Sequence, residues 1–163
     1  KILAICWGMQ VAVTAAGGEV KKATKGSHIG IANDIELTND GLNNLLYKDK
    51  KNKFNTPAFN FDEVVTVPTG AIHLASNKIN KIQSLNFKIG ISEIWGLQYH
   101  PEITYKKMID IIKFRKDILI KKRSRFKNEE EINNHINSIK EEIKISKKDS
   151  RMLELRNWIN LIN

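Results

Sequence analysis

Hydrophobic and polar positions divide the chain into a first part rich in strands and a last part rich in helices. Residues 1–5 are mostly apolar and predict a strand, and the small and apolar residues 7–16 predict a helix. Later apolar or alternating segments predict further strands, one or two at 28–38 and one each at 59–67, 71–76, 82–87 and 89–98. Shorter elements are predicted between them: a turn at 39–41, a short helix at 42–47 and a charged loop at 48–55. The pattern therefore predicts an α/β sheet with a small strand-rich insertion.

From Thr104 onward the hydrophobic period changes to that of amphipathic helices. One predicted helix has a broad apolar face around residues 108–114, and another covers 152–162. Between them, the isoleucines of a further helix recur in steps of four, three and four, at Ile132, Ile136, Ile139 and Ile143. Asn128 and Glu131 resemble a capping box at its start. We expect these helices to pack on the sheet or on each other; a docking face for a synthetase partner or a second copy of the chain is the alternative.

Cys6 is the only cysteine of the chain and lies between the first predicted strand and the first predicted helix. A sulfur at a helix N-terminus is close to the positive end of the helix dipole, which stabilises a thiolate. A sharp strand-to-helix turn is also the way in which several hydrolase families present a nucleophile. Since free cysteine is more often buried and inert, the position of Cys6 alone assigns it no role.

His100 and Glu102 are the groups that a cysteine nucleophile needs. Residues two apart in an extended segment point to the same side, and Pro101 keeps His100 away from helical angles. His100 can then deprotonate Cys6, while Glu102 orients the imidazole and stabilises the imidazolium. Taken alone, His100 and Glu102 are more typical of a surface ion pair; together with Cys6 they predict a triad.

The segments around these residues resemble the two signatures of the class I glutamine amidotransferases. Residues 4–10 resemble G-x-C-x-G-x-Q, with alanine in place of the first glycine, and residues 96–102 match G-x-Q-x-H-P-E in full. Residues 17–20 and 61–77 are similar to the GMP synthase glutaminase branch, although Asn60 stands where that branch has a histidine. The resemblance covers about residues 1–103, and we predict that residues 104–163 form a helical C-terminal extension.

This resemblance implies a flavodoxin-like class I glutamine amidotransferase sheet and a glutaminase reaction. Cys6 is implied as the nucleophile that attacks the side-chain amide carbon of glutamine, His100 as the general base and acid, and Glu102 as the orienting carboxylate. Ammonia leaves, and water hydrolyses the glutamyl thioester.

Four further residues are candidates for contact with glutamine. We predict that Trp7 and Gln10 line the glutamine side of the pocket, and Asn60 is a weaker candidate. Tyr99 is also a candidate, although an aromatic residue at a strand end is more often a packing residue.

An oxyanion site would need two backbone N–H donors. By resemblance, one donor is the amide of Trp7, and the other belongs to a glycine-rich loop that precedes the elbow in the family. The chain opens at Lys1, inside the strand that leads to Cys6, so it looks like the C-terminal portion of a longer protein. We therefore expect little or no glutaminase activity from this chain alone.

Composition narrows the possible partners and cofactors. The net charge of +9 is typical either of a nucleic-acid or anionic-membrane surface or of a sequence that uses lysine heavily throughout. Because no aromatic-interleaved groove accompanies the basic residues, we favour the second interpretation and expect binding to neither nucleic acid nor membrane. A single cysteine excludes an internal disulfide and fits a reducing, cytoplasmic environment. With no phosphate loop and no metal-ligand spacing, we expect no cofactor and no metal, and an ammonia acceptor would be activated by another chain.

Three functions remain open at this stage. The first is a GMP synthase-like glutaminase, acting with a synthetase partner or as a homo-oligomer. The second is a γ-glutamyl hydrolase or peptidase with the same thiol chemistry. The third is a non-catalytic binding protein that retains the fold. The reactivity of Cys6 toward a glutamine-mimicking electrophile separates the third from the first two.

Overall fold

A central sheet of six strands organises the structure, a computed structural model that describes residues 1–163. The strands of the chain are β1 (Ile2–Ile5), β2 (Glu19–Lys22), β3 (His28–Ile29), β4 (Ala32–Leu37), β5 (Lys53–Thr56), β6 (Phe59–Asn60), β7 (Asp62–Thr66), β8 (Ile72–Ser76), β9 (Ser84–Ile89) and β10 (Ser92–Leu97). The helices are α1 (Trp7–Ala15), α2 (Asn39–Leu42), α3 (Tyr105–Phe114), α4 (Glu129–Ile145), α5 (Lys148–Arg151) and α6 (Leu153–Ile162). A 3-10 helix covers Leu45–Tyr47 and a π-helical segment covers Ile118–Lys122.

The strand order places the ends of β1 and β10 side by side. The sheet has the order β1-β10-β9-β8-β4-β5, in which β1 runs parallel to β10 and every other neighbouring pair is antiparallel. Two small sheets, β2-β7 and β3-β6, form the strand-rich insertion. Because β1 and β10 are parallel and Ile5 pairs with Leu97, the two strands end side by side. The residues that follow them therefore leave the sheet at the same end.

Three groups of buried apolar residues form the core. One lies between α1 and the sheet and includes Met9 and Val13. A second includes Leu37, Leu97 and Tyr99, with Trp158 of α6 packed against it. The third joins β3 to α3 and α4. Helices on the sheet and beside it give the predicted α/β architecture, which is confirmed.

Most predicted elements are found, with two corrections between residues 39 and 56. The turn predicted at 39–41 is the start of the short helix α2, whose first turn is capped by the Thr38 hydroxyl, which accepts a hydrogen bond from the Gly41 N–H at 3.0 Å. The predicted charged loop at 48–55 is wrong over its last residues, which form β5. Phe54 pairs with Ile35 of β4 and packs on the core, so tertiary contact prevails over the local charge pattern.

The helices after residue 104 lie close to their predicted positions. The Asn128 side chain caps α4 by accepting the Glu131 N–H at 3.0 Å, as predicted. The carboxylate of Glu131 accepts the N–H of Lys127 at 2.7 Å instead of that of Asn128, so only half of the capping box forms. None of the helices has the length and apolar character that crossing a membrane requires.

Candidate active site

Cys6 occupies a strained elbow between β1 and α1. Its φ of 52° and ψ of −108° lie in a region that residues other than glycine rarely adopt. The Cys6 N–H donates to the carbonyl oxygen of Leu97 at 2.6 Å, and its own carbonyl oxygen accepts the Gln10 N–H at 3.2 Å. These two bonds hold the residue between the end of the sheet and the first turn of the helix, so the thiol is presented at the corner.

Small residues allow α1 to lie close to the sheet behind the elbow. Ala4 of β1 pairs with Gly96 of β10. A Cβ atom added at Gly96 would lie 2.7 Å from Cγ of the fully buried Met9, which is closer than carbon atoms approach. The small residues that open the two signatures therefore permit the close packing that fixes Cys6 against the end of β10.

His100 and Glu102 follow β10 and are hydrogen-bonded to each other. The His100 N–H donates to the carbonyl oxygen of Pro57 at 2.8 Å, which ties this irregular segment to the chain before β6. His100 Nδ1 lies 2.6 Å from Oε1 of Glu102. With Nδ1 facing the carboxylate, Nε2 is the nitrogen left to exchange a proton with the sulfur.

The surroundings of His100 favour its charged form. Burial lowers the pKa of His100, but hydrogen bonding to Cys6 and Glu102, together with the electrostatic effect of both groups, outweighs burial and raises the pKa to about 9. A raised pKa favours the imidazolium form of His100 at neutral pH. An adjacent imidazolium stabilises a thiolate, which is the nucleophilic form of cysteine.

Two glutamines extend the site on the other side of the sulfur. Gln98 is fully buried, and its Nε2 donates to Cys6 Sγ at 3.6 Å. Gln10 Nε2 donates to Gln98 Oε1 at 3.1 Å and to the carbonyl oxygen of Asp62 at 3.1 Å. Sequence reasoning selected Gln10 but not Gln98, although Gln98 belongs to the second signature and could have been found from it.

The structure brings Trp7 beside Gln10 on an open surface. Trp7 is 74% exposed, and both residues line a groove of about 660 Å³ between α1 and β2. The N–H groups of Trp7 and Gly8 belong to the first turn of α1, where helical geometry offers them no acceptor within the helix. This end of α1 can therefore donate to a negatively charged oxygen.

Asn60 and Tyr99 lie in buried networks. Asn60 Nδ2 donates to the Asp62 carbonyl oxygen at 3.0 Å and to Asn80 Oδ1 at 2.9 Å, while Asn60 Oδ1 has no protein partner. Tyr99 is fully buried, and its hydroxyl is 2.8 Å from both the Tyr47 hydroxyl and Glu154 Oε1. Tyr99 is thus held in the core beneath the site, and no contact to glutamine is proposed for it. No group of three or more His, Cys, Asp or Glu side chains has an arrangement that could hold a metal ion.

Comparison with known proteins places these residues in a family context. The family model "Glutamine amidotransferase class-I" matches residues 1–117. A γ-glutamyl-L-1-hydroxyisopropylamide hydrolase of a Pseudomonas species is 41% identical over 103 residues, which are 61% of this chain and 35% of the relative. A subunit of the glutamine-hydrolyzing GMP synthase of Methanosarcina acetivorans is 34% identical over 109 residues, 67% of this chain and 54% of the relative.

Solved structures share the fold. A glutamine amidotransferase of Thermotoga maritima superposes with a TM-score of 0.65 at 20% identity, covering 96% of this chain and 60% of that one. A protein of Thermoplasma acidophilum described as a GMP synthase subunit gives a TM-score of 0.55 at 21% identity, covering 72% and 59%. The chain spans only 35% and 54% of the length of the two curated relatives.

Proposed function

Because the chain belongs to the class I glutamine amidotransferase family, we propose that it hydrolyses the side-chain amide of glutamine and releases ammonia. One observation carries this proposal: Cys6 lies at a strained helix N-terminus, and His100, whose pKa is raised to about 9 in part by Cys6, lies 2.6 Å from the Glu102 carboxylate. In this proposal Cys6 is the nucleophile, His100 the general base and acid, and Glu102 the orienting carboxylate.

The proposed reaction has two halves. The Cys6 thiolate attacks the amide carbon, the carbon–nitrogen bond breaks, and the imidazolium of His100 gives its proton to the departing ammonia. The neutral imidazole then takes a proton from water, which attacks the thioester and releases glutamate, so that thiolate and imidazolium are restored. The Trp7 N–H is proposed as a donor to the oxyanion in both halves, where loss of one such donor slows the reaction by ~100-fold or more.

Contacts to the glutamyl group are proposed for the residues around the thiol. Trp7 and Gln10 line the groove between α1 and β2, and the Gln98 side chain donates to the Cys6 sulfur. Asn60 is a weaker candidate, because its only unpaired atom, Oδ1, is buried.

A hydrolase of substituted γ-glutamyl amides is the second candidate. Its support is the Pseudomonas relative, the more similar of the two curated relatives, whose name gives such a substrate. Glutamine and a γ-glutamyl alkylamide share the acyl group and differ only in the amine that leaves, so the same thiol chemistry serves both. The GMP synthase relatives favour the first candidate and, with it, a synthetase partner that uses the ammonia.

Replacement of Cys6 tests the proposed chemistry. We expect the purified full-length protein to be labelled once, on Cys6, by a diazo-ketone analogue of glutamine, and the Cys6→Ala variant to remain unlabelled. Any glutamate formation should fall by at least ~1000-fold in Cys6→Ala, because the residual rate without a nucleophile comes from binding alone. Mass spectrometry and an enzymatic glutamate assay measure these outcomes. Activity that survives in Cys6→Ala would show that Cys6 is not the nucleophile and would overturn the proposal, whereas an inert thiol would favour a non-catalytic role of the fold.

A comparison of the rates at which different amides are hydrolysed distinguishes the two candidate substrates. Glutamine, a γ-glutamyl alkylamide and a γ-glutamyl dipeptide are compared by the glutamate that each releases. The first candidate requires the highest kcat/KM for glutamine, whereas a preference for the alkylamide assigns the second. The His100→Asn variant should lose activity toward all three compounds alike, since the general base acts on the shared acyl group.

A further inference from the structure

The C-terminal helical region holds the segment that carries His100 and Glu102. Arg151, the last residue of α5, donates through Nη1 to the carbonyl oxygens of Pro101 and of Ile103, the latter at 3.1 Å. These two carbonyl groups lie on either side of Glu102 in the chain. A guanidinium that binds both of them restricts the backbone from which the carboxylate projects.

A second contact from the same region fixes the residue before His100. Glu154 of α6 accepts the hydroxyl of Tyr99 at 2.8 Å, and both side chains are fully buried. Because Tyr99 directly precedes His100, the segment with the imidazole and the carboxylate is held at both ends by residues that are three apart in the C-terminal region.

Lys50 anchors Arg151 and Glu154 to the body of the protein. Its Nζ donates to the Ser150 carbonyl oxygen at 2.7 Å and to Glu154 Oε2 at 2.8 Å. The Lys50 and Glu154 side chains are 2% and 0% exposed, so water does not compete with this ion pair. Lys50 therefore holds the junction between α5 and α6 against the segment that precedes β5. This contact keeps Arg151 close to the Pro101–Ile103 segment.

We propose that Arg151 is a positioning residue for the His100–Glu102 pair, through which α5 and α6 set the orientation of the imidazole relative to the Cys6 thiol. This inference rests on the proposed function, since it concerns the same three residues. Arg151 lies beyond residue 117, where the match to the family model ends.

The size of the effect follows from the precision that the chemistry needs. A displacement of ~1 Å at reacting groups can slow a reaction by about 100-fold. Without Arg151, the backbone that carries Glu102 is less restrained. The 2.6 Å hydrogen bond between His100 and Glu102 should then form less often or with poorer geometry. A weaker bond to Glu102 stabilises the imidazolium less, so the pKa of His100 should fall toward its ordinary value.

The test compares Arg151→Gln with two other variants of the intact protein. Arg151→Lys keeps a cationic donor at the same place. Arg156→Gln is the matched control, because Arg156 forms an exposed ion pair with Asp149 in the same helical region and has no contact with the Pro101–Ile103 segment. Two readouts do not require turnover of glutamine: the NMR titration of His100, assigned with His100→Asn, and the rate of Cys6 alkylation by iodoacetamide between pH 5 and 10.

We expect the His100 titration midpoint to fall by about one pH unit in Arg151→Gln, since one unit corresponds to the loss of a well-placed hydrogen bond to the charged form. The rate of Cys6 alkylation at pH 7 should fall by about tenfold, because a less stable imidazolium stabilises the thiolate less. Arg156→Gln should match the unsubstituted protein, and Arg151→Lys should recover part of both changes. The titratable groups that face His100 are Cys6 and Glu102, so a shift of the midpoint reports on their placement.

Each other outcome has a definite meaning. If Arg151→Gln lowers the unfolding midpoint while the His100 titration and the alkylation profile stay unchanged, Arg151 is structural only and the inference is overturned. If His100 shifts in Arg151→Gln but the diazo-ketone analogue of glutamine leaves Cys6 of the unsubstituted protein unlabelled, positioning stands and the proposed function fails.

Discussion

The backbone of Cys6 shows how the site uses conformational strain. With φ at 52° and ψ at −108°, the residue adopts angles that only glycine adopts without a penalty of roughly 1–3 kcal/mol. The hydrogen bonds to Leu97 and from Gln10 hold it there. The protein thus accepts a local loss of stability in order to present a thiol where a glycine would fit best.

Glycine at position 6 should therefore be more stable than alanine. We expect Cys6→Gly to unfold with a free energy about 1 kcal/mol higher than that of Cys6→Ala, because relief of strain exceeds the entropy that glycine adds to the unfolded chain. Urea unfolding at pH 7 measures the difference. Ala15→Gly, at the exposed last residue of α1 where no positive φ is relieved, is the control and should not raise stability. Equal stabilities for the two variants at position 6 would contradict the strain argument.

At this scale the sequence indicated the residues around the thiol better than those beneath it. Motif and spacing predict Cys6, His100 and Glu102 as a group. In the structure they follow β1 and β10, which end side by side. Tyr99 could not be placed, since an extended segment has two faces and the sequence does not say which one α6 covers. The short segment between β10 and α3 then depends on Arg151, about fifty residues further along the chain, for which no local pattern exists.

Among the elements, β3 contains a buried histidine that cannot easily accept a proton. His28 is 1% exposed, and its Nε2 accepts hydrogen bonds from Gln83 Nε2 at 2.9 Å and from Asn77 Nδ2 at 3.4 Å. Burial lowers the pKa of His28 to about 4, against a smaller opposite effect of a hydrogen bond with the Ile31 backbone. Protonation would remove the acceptor that joins β3 to the loop before β9.

This histidine predicts a loss of stability in mild acid. The unfolded chain protonates His28 near pH 6.5 and the folded chain only near pH 4, so the free energy of unfolding should fall between these values and then level off. The loss from this residue is about 3 kcal/mol, as the difference between the two pKa values implies. Urea unfolding from pH 4 to pH 7 measures it. His28→Gln should have a smaller slope with pH than the unsubstituted protein, and equal slopes in the two proteins would refute the assignment.

Element prediction succeeded where hydrophobic period and burial agree. The Ile132, Ile136 and Ile139 stripe of α4 is buried against α3 and β3 as its period indicated. The segment at 39–41 has turn residues, yet it begins a helix that the Thr38 hydroxyl caps, and Gly41 lies so close to β8 that an added Cβ would be 2.0 Å from the Leu74 carbonyl oxygen. Such close contacts depend on a neighbour that is distant in sequence, so local turn chemistry could not reveal them.

For the whole molecule, the buried Lys50–Glu154 pair joins the last helix to the segment before β5. A charge left alone at this depth is strongly unfavourable, whereas removal of both charges can be nearly neutral. Glu154→Leu should therefore lower the free energy of unfolding by about 3–5 kcal/mol, and addition of Lys50→Met should recover much of that loss. The exposed pair of Arg156 and Asp149 is the control, and Asp149→Asn should change stability little. Urea unfolding of the four proteins checks this, and a double variant as unstable as Glu154→Leu would contradict it.

The large-scale architecture was predictable from the order of segments, but the covering of the sheet was not. The two signatures and the strand pattern indicated the α/β sheet and its family. The docking of α6 depends on shape and on two buried charges, and the sequence pattern also allowed a free docking face. In the structure Trp158 and Leu161 of α6 pack against the same core as Tyr99.

The position of α6 also bears on how the chain reaches its native state. Asn157 donates to the carbonyl oxygens of Leu46 and Lys48, both at 2.9 Å, and the Lys1 side chain donates to the carbonyl oxygen of Leu161. These contacts join residues more than one hundred positions apart, and such pairings form late and slowly. On the ribosome, the core that includes Tyr99 is therefore translated well before the helix that covers it. Until α6 emerges, this apolar surface is the part of the chain most exposed to aggregation or to chaperone binding.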